Sequence, residues 1–150
     1  MSDELTLIAT TAFGLEAITK RELMNLGYTA EIMAPGWIRF QATRAGICRA
    51  NLWLRTADRI LIQVASFEAR DFDTLFETTK QLPWQQWIPV DGRFPVDGRS
   101  IKSQLSSVPA CQRAVKKAIV ESLMGSYQTT TLAETAAEYR CQIALLKDQA

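Results

Sequence analysis

Short β-branched runs and amphipathic segments alternate in a fixed order along the first 68 residues of this chain. Runs in which every second residue is apolar are typical of half-buried strands, and apolar residues at three- and four-residue spacing are typical of surface helices. The patterns predict strands at 4–10, 28–33, 37–41 and 59–67 and helices at 14–26 and 45–54. The resulting order, β-α-β-β-α-β, is that of the ferredoxin-like split unit. We expect this unit to close near residue 68.

A second region follows, in which helices and strands are mixed differently. The predicted elements are a helix at 72–82 capped by Asp71 or Asp73, a strand at about 93–97, a long helix capped by Ser106 or Ser107, and a last strand at 137–146. The fold class is therefore α+β, with a ferredoxin-like βαββαβ subdomain at 1–68 and a mixed α/β domain at 69–150. Because the last strand has no evident partner, we expect the sheet to continue with a further strand and the chain to be truncated there.

Composition excludes several classes of protein. No histidine is present, which removes the commonest general base and most zinc sites. Cys48, Cys111 and Cys141 form no CxxC pair, so we expect reduced thiols in a cytoplasmic protein, packed as small core residues. Neither GxGxxG nor GxxxxGK[ST] occurs, and no apolar run approaches the ~20 residues that span a bilayer. We predict no catalytic residue, no metal and no cofactor site within these 150 residues.

Positive charge is concentrated between Arg93 and Val120. This segment holds six basic residues and one acidic residue, whereas the whole chain has a net charge of +1. A local cationic surface on a nearly neutral protein is typical of a site for a polyanion. The predicted phosphate-binding residues are the cations and serines of this segment: Arg99, Ser100, Lys102, Ser103, Arg113, Lys116 and Lys117.

On a helix starting near Val108, one face is apolar and Arg113 and Lys117 lie on the opposite face. Like charges at i, i+4 disfavour a helix by ~0.2–0.5 kcal/mol, and Glu121 should relieve Lys117 only. A bound phosphate could supply the missing counter-charge, but the same residues could equally solvate the outer face of a surface helix. The nearest aromatic residues in the sequence are Phe94 and Tyr127, so no base-stacking platform is evident.

Three stretches of the chain resemble the THUMP-domain ribosomal RNA methyltransferases of bacteria. They are the opening LIATTAFGLEAITKRELMNLGYTAEIMAPGWIRFQA, the block NLWLRTADRI at 51–60, and FPVDGRSIKSQL with AVKKAIV within 94–120. In the opening stretch the resemblance is carried by Thr11, Ala12, Gly14, Leu15, Glu16, Glu22 and Leu23. It runs essentially from end to end.

The resemblance implies a ferredoxin-like domain followed by a THUMP domain, which captures structured RNA, expected to be large-subunit ribosomal RNA. It further implies that guanine N2 is methylated by a Rossmann-like domain, in cis or in trans, which binds S-adenosylmethionine and is absent from these 150 residues. The chain would then deliver RNA and leave catalysis to that domain. A different class of function also stays open. The ferredoxin-like half, or an exposed last strand, could dock a protein partner.

Overall fold

A computed structural model describes residues 3–150, so the first two residues of the predicted N-terminal domain lie outside it. The chain forms two compact units, the first ending at Val64 and the second comprising Ala65–Ala150. Within the described residues, no helix is long and apolar enough to cross a membrane.

The first unit is a four-stranded antiparallel sheet with two helices. Its elements are β1 (Leu5–Thr11), α1 (Glu16–Asn25), β2 (Ala30–Ala34), β3 (Trp37–Ala42), α2 (Arg44–Trp53) and β4 (Ala57–Ile62). The strand order is β2-β3-β1-β4, and β1 pairs with both β3 and β4. This order, with a helix after β1 and another after β3, confirms the predicted ferredoxin-like arrangement. Gly27 follows the end of α1 with a φ of +94°, the left-handed conformation that suits glycine after a helix.

The core of the first unit follows the alternation that predicted the strands. Leu7 and Ala9 of β1 and Ile38 and Phe40 of β3 are buried on one face of the sheet, where Leu23 of α1 packs. Alternate strand residues point to the same face, so this pattern places α1 and the core on one side.

At two neighbouring positions of α1, the polar residue is buried and the apolar one is exposed. Ile18 is 47% exposed, and its neighbour Thr19 is fully buried. The Thr19 hydroxyl lies 2.7 Å from the hydroxyl of Thr56 and donates to the carbonyl of Leu15. The carboxylate of Glu22 accepts hydrogen bonds from the backbone N–H and the hydroxyl of Thr56. These polar contacts join α1 to the segment before β4, which is why the threonine faces inward.

The second unit contains two helices, a short 3-10 helix and a parallel pair of strands. In chain order they are α3 (Phe72–Lys80), the 3-10 helix (Trp84–Gln86), β5 (Val96–Ile101), α4 (Val108–Tyr127) and β6 (Cys141–Leu146). Of the two candidate caps of α3, Asp71 takes the role, because its carboxylate accepts the backbone N–H of Thr74 at 2.7 Å. For α4 the capping position is Ser107, although its side chain makes no capping hydrogen bond.

The strands of the second unit differ from their predicted positions. β5 begins three residues later than predicted and includes Arg99 and Ser100, which the sequence placed in a loop. β6 pairs with β5 in parallel register from Val96 opposite Cys141 to Ile101 opposite Leu146. The expectation of an unpaired last strand is therefore wrong, because a strand from before the long helix lies beside it.

The three cysteines lie in different environments. Cys111 is buried on the inner face of α4 and Cys141 is half-buried, but Cys48 is exposed, so its predicted core position is wrong. Burial raises the pKa of the Cys141 thiol to about 11, and it also raises the pKa of the Cys111 thiol.

Candidate nucleic-acid interface

The long helix α4 separates apolar and cationic residues onto two faces, as its spacing predicts. Its buried residues are Cys111, Val115, Ala118, Ile119 and Leu123. Arg113 and Lys117 are exposed on the other side, one turn apart. The helix thus presents two cations to solvent on a backbone held in place by its buried face.

Lys116 is bound within the protein. Its ammonium group donates hydrogen bonds to the carbonyl of Phe94 at 3.1 Å and to the carboxylate of Glu134 at 2.8 Å. The same nitrogen lies 3.5 Å from the centroid of the Phe94 ring, in the geometry of a cation–π contact. Lys116 therefore ties the loop after α4 to the segment before β5, with its charge directed into the protein.

The prediction that Glu121 pairs with Lys117 is wrong. Glu121 pairs with Lys80 of α3 instead, at 3.1 Å. The ammonium of Lys117 lies 5.6 Å from the centroid of the Phe76 ring, also on α3. Within residues 3–150, neither Arg113 nor Lys117 forms an ion pair, so no salt bridge offsets their repulsion.

Both predicted serines form hydrogen bonds inside the unit. The Ser100 hydroxyl donates to the carbonyl of Leu105 at 2.7 Å. The Ser103 hydroxyl donates to the carbonyl of Ile101 and accepts the backbone N–H of Asp148. Both serines shape the loop between β5 and α4, so their hydroxyls already have partners.

Arg99 and Lys102 occupy different environments on the same segment. Arg99 is half-buried within β5, and burial lowers the pKa of its guanidinium. Lys102 is exposed, and its φ of +50° is in the left-handed region. Such a conformation is uncommon for a residue other than glycine and turns the chain sharply out of the strand.

The structure adds Lys147, which sequence reasoning missed. Lys102 and Lys147 directly follow Ile101 and Leu146, the last paired residues of β5 and β6. The backbone N–H of Lys147 donates to the carbonyl of Ile101 at 3.0 Å, and Lys147 also has a φ of +50°. Two exposed lysines thus lie at the same end of the two-stranded sheet, where β5 and β6 both finish. Only the parallel pairing shows this, because a long helix separates the two residues in sequence.

The carboxylates in the same stretch of sequence are already engaged. Every acidic residue from Asp97 onward has a cationic partner: Asp97 and Glu138 pair with Arg140, Glu121 with Lys80, Glu134 with Lys116, and Asp148 with Arg70. Within residues 3–150, four cations of the same stretch form no ion pair: Lys102, Arg113, Lys117 and Lys147. Such unneutralised charge is what an anionic ligand requires.

Fold and surface together define a class: an α+β protein with a ferredoxin-like unit followed by an α/β unit that exposes unpaired cations. Family models match both parts. Residues 6–61 match the RlmL ferredoxin-like domain, and residues 69–150 match the THUMP domain. The chain belongs to the THUMP-domain family and carries a ferredoxin-like domain of the RlmL type before it.

Similar proteins bear methyltransferase names. The chain is 54% identical to the "Putative RNA methyltransferase YpsC" of Bacillus subtilis over 97% of this chain and 38% of that protein. It is 26% identical to the "Ribosomal RNA large subunit methyltransferase K/L" of Syntrophotalea carbinolica, over 100% of this chain and 21% of that protein.

A solved structure shares the fold. "SMU.472, a putative methyltransferase complexed with SAH" has a TM-score of 0.90 and 39% identity, over 99% of this chain and 40% of that one. The chain thus spans two fifths or less of the length of these three proteins. They include a large part that has no counterpart in these 150 residues.

Proposed function

We propose that this chain is the RNA-binding part of a ribosomal RNA methyltransferase. The observation that carries the proposal is the set of four unpaired cations, Lys102, Arg113, Lys117 and Lys147, on the THUMP-matched unit. RNA phosphates would supply the counter-charges that nearby carboxylates do not. The ribosomal target is supported by the name of the Syntrophotalea carbinolica relative.

The mechanism is positioning. Contacts to phosphates hold RNA in one register, and a catalytic domain beyond these residues takes the target base out of its stack. We propose guanine N2 as the methylated position and S-adenosylmethionine as the methyl donor of that domain. The SAH complex of a similar structure supports the donor. An RNA-processing role of this kind also predicts a cytoplasmic protein.

The predicted site residues have separate roles in this proposal. Lys102, Arg113 and Lys117 contact phosphates, and Lys147 joins them. Arg99, Ser100, Ser103 and Lys116 support the surface, since the serines and Lys116 are bonded within the unit and Arg99 is half-buried.

The test is RNA binding by the 150-residue chain, with hairpin fragments of large-subunit ribosomal RNA as probes. Arg113→Glu with Lys117→Glu should weaken binding and flatten its dependence on salt, with the slope falling by ~0.7–0.9 for each phosphate that the variant no longer neutralises. Lys20→Glu with Arg21→Glu, on α1, changes net charge equally and is the matched control. Equal effects of both double variants would refute a localised site and leave only net charge as the cause.

A second candidate function is a protein dock on the first unit. Phe13, Leu52 and Trp53 are 86%, 80% and 65% exposed. Thr11 pairs with Ala57 across β1 and β4, which places the loop after β1 and the end of α2 at the same end of the sheet. The occupant that fits is the catalytic domain of the longer relatives. Loss of its association on Phe13→Ser and Leu52→Ser, with RNA binding unchanged, would support this role.

A further inference from the structure

α3 and α4 lie side by side and run in the same direction. Lys80 of α3 pairs with Glu121 of α4, and one turn earlier Phe76 lies beside Lys117. The same sequence of contacts continues just beyond Lys80, where the Ser122 hydroxyl of α4 donates a hydrogen bond to the carbonyl of Leu82. The two helices are therefore parallel, and successive turns of one lie beside successive turns of the other.

Extending this register by one turn toward the start of each helix, we infer that Phe72 lies opposite Arg113. Phe72 is 41% exposed, and Arg113 is exposed as well. Among the described residues, Arg113 takes part in no ion pair and does not lie over an aromatic ring. We call Phe72, Phe76, Arg113 and Lys117 the α3–α4 surface.

This surface changes the prediction that the basic helix has no aromatic platform. Phe94 and Tyr127 are the aromatic residues nearest in sequence, but α3 brings Phe76 beside Lys117 of α4, and Phe72 lies one turn earlier on α3. Aromatic faces interleaved with cations are the chemistry by which proteins hold unpaired nucleotides.

We propose that the α3–α4 surface binds an unpaired nucleotide of RNA, with its base stacked on Phe72 and its phosphates on Arg113 and Lys117. This rests on the proposed function and deepens it, because it names unpaired residues, and not only a helical backbone, as the part of the RNA that is held. Every base has a π face, so the contact accepts any of the four.

Phe72 is the stacking residue because the ring of Phe76 is already flanked. The ammonium groups of Lys80 and Lys117 lie 5.9 Å and 5.6 Å from its centroid. Within residues 3–150, no such cation contact involves Phe72. Phe76 instead orients the Lys117 ammonium toward the same ligand.

Charge favours RNA over a protein partner. Arg113 and Lys117 give this surface two positive charges, and Glu121 of α4 is paired with Lys80. On α3, the Asp71 carboxylate next to Phe72 accepts two hydrogen bonds from Thr74, and Asp73 is exposed. The buried centres of protein interfaces are depleted in lysine, whereas Lys117 lies beside Phe76 on the α3–α4 surface.

The experiment measures binding of two RNA probes to the 150-residue chain. One is a hairpin with a single-stranded overhang of about six nucleotides, and the other is the same hairpin with a blunt end. A 2-aminopurine in the overhang reports stacking by a decrease in its fluorescence. We expect tighter binding of the overhang probe and quenching on binding.

Phe72→Ala should weaken binding of the overhang probe about 5- to 100-fold and remove the quenching, with no change in salt slope. Phe72→Trp, which keeps an aromatic face, should preserve both. Arg113→Gln should weaken binding and lower the slope by ~0.7. A circular dichroism melt of each variant checks that folding is unchanged.

Three outcomes would overturn the proposal. If Phe72→Ala binds and quenches like the parent while Arg113→Gln binds weakly, RNA binding stands but stacking on this surface does not. If neither probe binds to the parent chain, the proposed RNA-binding function is refuted, and the stacking proposal is refuted with it. If Phe72→Ala instead abolishes a salt-insensitive self-association and leaves RNA binding unchanged, the surface is a protein contact.

Discussion

Replacing Lys116 by methionine should destabilise the second unit while changing RNA affinity little. The substitution keeps an unbranched apolar stem and removes the ammonium group. That group makes hydrogen bonds of 3.1 Å to the Phe94 carbonyl and 2.8 Å to Glu134, and lies 3.5 Å from the Phe94 ring centroid.

The magnitude follows from these three interactions. A hydrogen bond to a charged group contributes about 1.5–3 kcal/mol when it is desolvated. The side chains of Lys116 and Glu134 are 33% and 35% exposed, so water can replace part of this stabilisation. We expect a decrease of about 1–2 kcal/mol in the free energy of unfolding. For a unit of this size, each kcal/mol lowers Tm by about 4–8 °C.

Differential scanning calorimetry of the whole chain measures the effect, because it can resolve separate transitions of the two units. Lys117→Met is the matched control: the same chemical change at the next residue, where the ammonium has only a distant ring contact. A double-mutant cycle with Glu134→Gln should give a coupling energy of about 0.5 kcal/mol or more.

Binding to the hairpin probes completes the test. Lys116→Met should bind RNA within about twofold of the parent, whereas Lys117→Met should reduce the salt slope by ~0.7. If Lys116→Met melts with the parent and binds RNA as weakly as Lys117→Met does, then Lys116 contacts RNA and the assignment of a supporting role is wrong.

Two further predictions concern titratable groups elsewhere. With iodoacetamide at pH 8, the exposed Cys48 should react fast, and Cys111 and Cys141 slowly, because burial raises the pKa of the Cys141 thiol to about 11 and keeps it protonated; mass spectrometry of the labelled peptides will show whether the order is reversed. Asp71→Ala should lower the urea midpoint of unfolding at pH 7. The backbone hydrogen bond from Thr74 lowers the pKa of Asp71, so its stabilisation is present above the unfolded pKa and is lost as pH falls through the folded one. A difference between variant and parent that persisted at pH 2 would contradict this cause.

The topology of the first unit could be predicted because each of its elements has a clear local period. Alternation in β1 and β3 placed Leu7, Ala9, Ile38 and Phe40 on one face, and they form the core. The exception is Thr19, whose burial depends on a hydroxyl partner 37 positions away. No local pattern contains that information.

The candidate interface was harder to predict for the same reason. Spacing correctly separated the two faces of α4, but the partner of each charge comes from another element. Lys80 of α3 forms an ion pair with Glu121, and Glu134 of the loop after α4 forms an ion pair with Lys116. Which cations stay exposed thus depends on tertiary contacts, and so does the side-by-side register of α3 and α4.

The parallel pairing of β5 with β6 has a consequence for synthesis. Antiparallel strands can pair across a short turn, but the partner of Ile101 is Leu146, on the far side of α4. At ~5–20 residues per second, a ribosome needs about 2–9 s to make the roughly 45 residues between them. Throughout that time β5 has no strand of its own unit to pair with.

The composition of β5 suits that interval. Its sequence, VDGRSI, includes one acid, one base, a glycine and a serine, whereas β6 reads CQIALL. Charges and glycine in an unpaired strand disfavour pairing with other chains. The strand that is made first is thus the one less prone to aggregate, and the apolar strand emerges when its partner and α4 are already there to cover it.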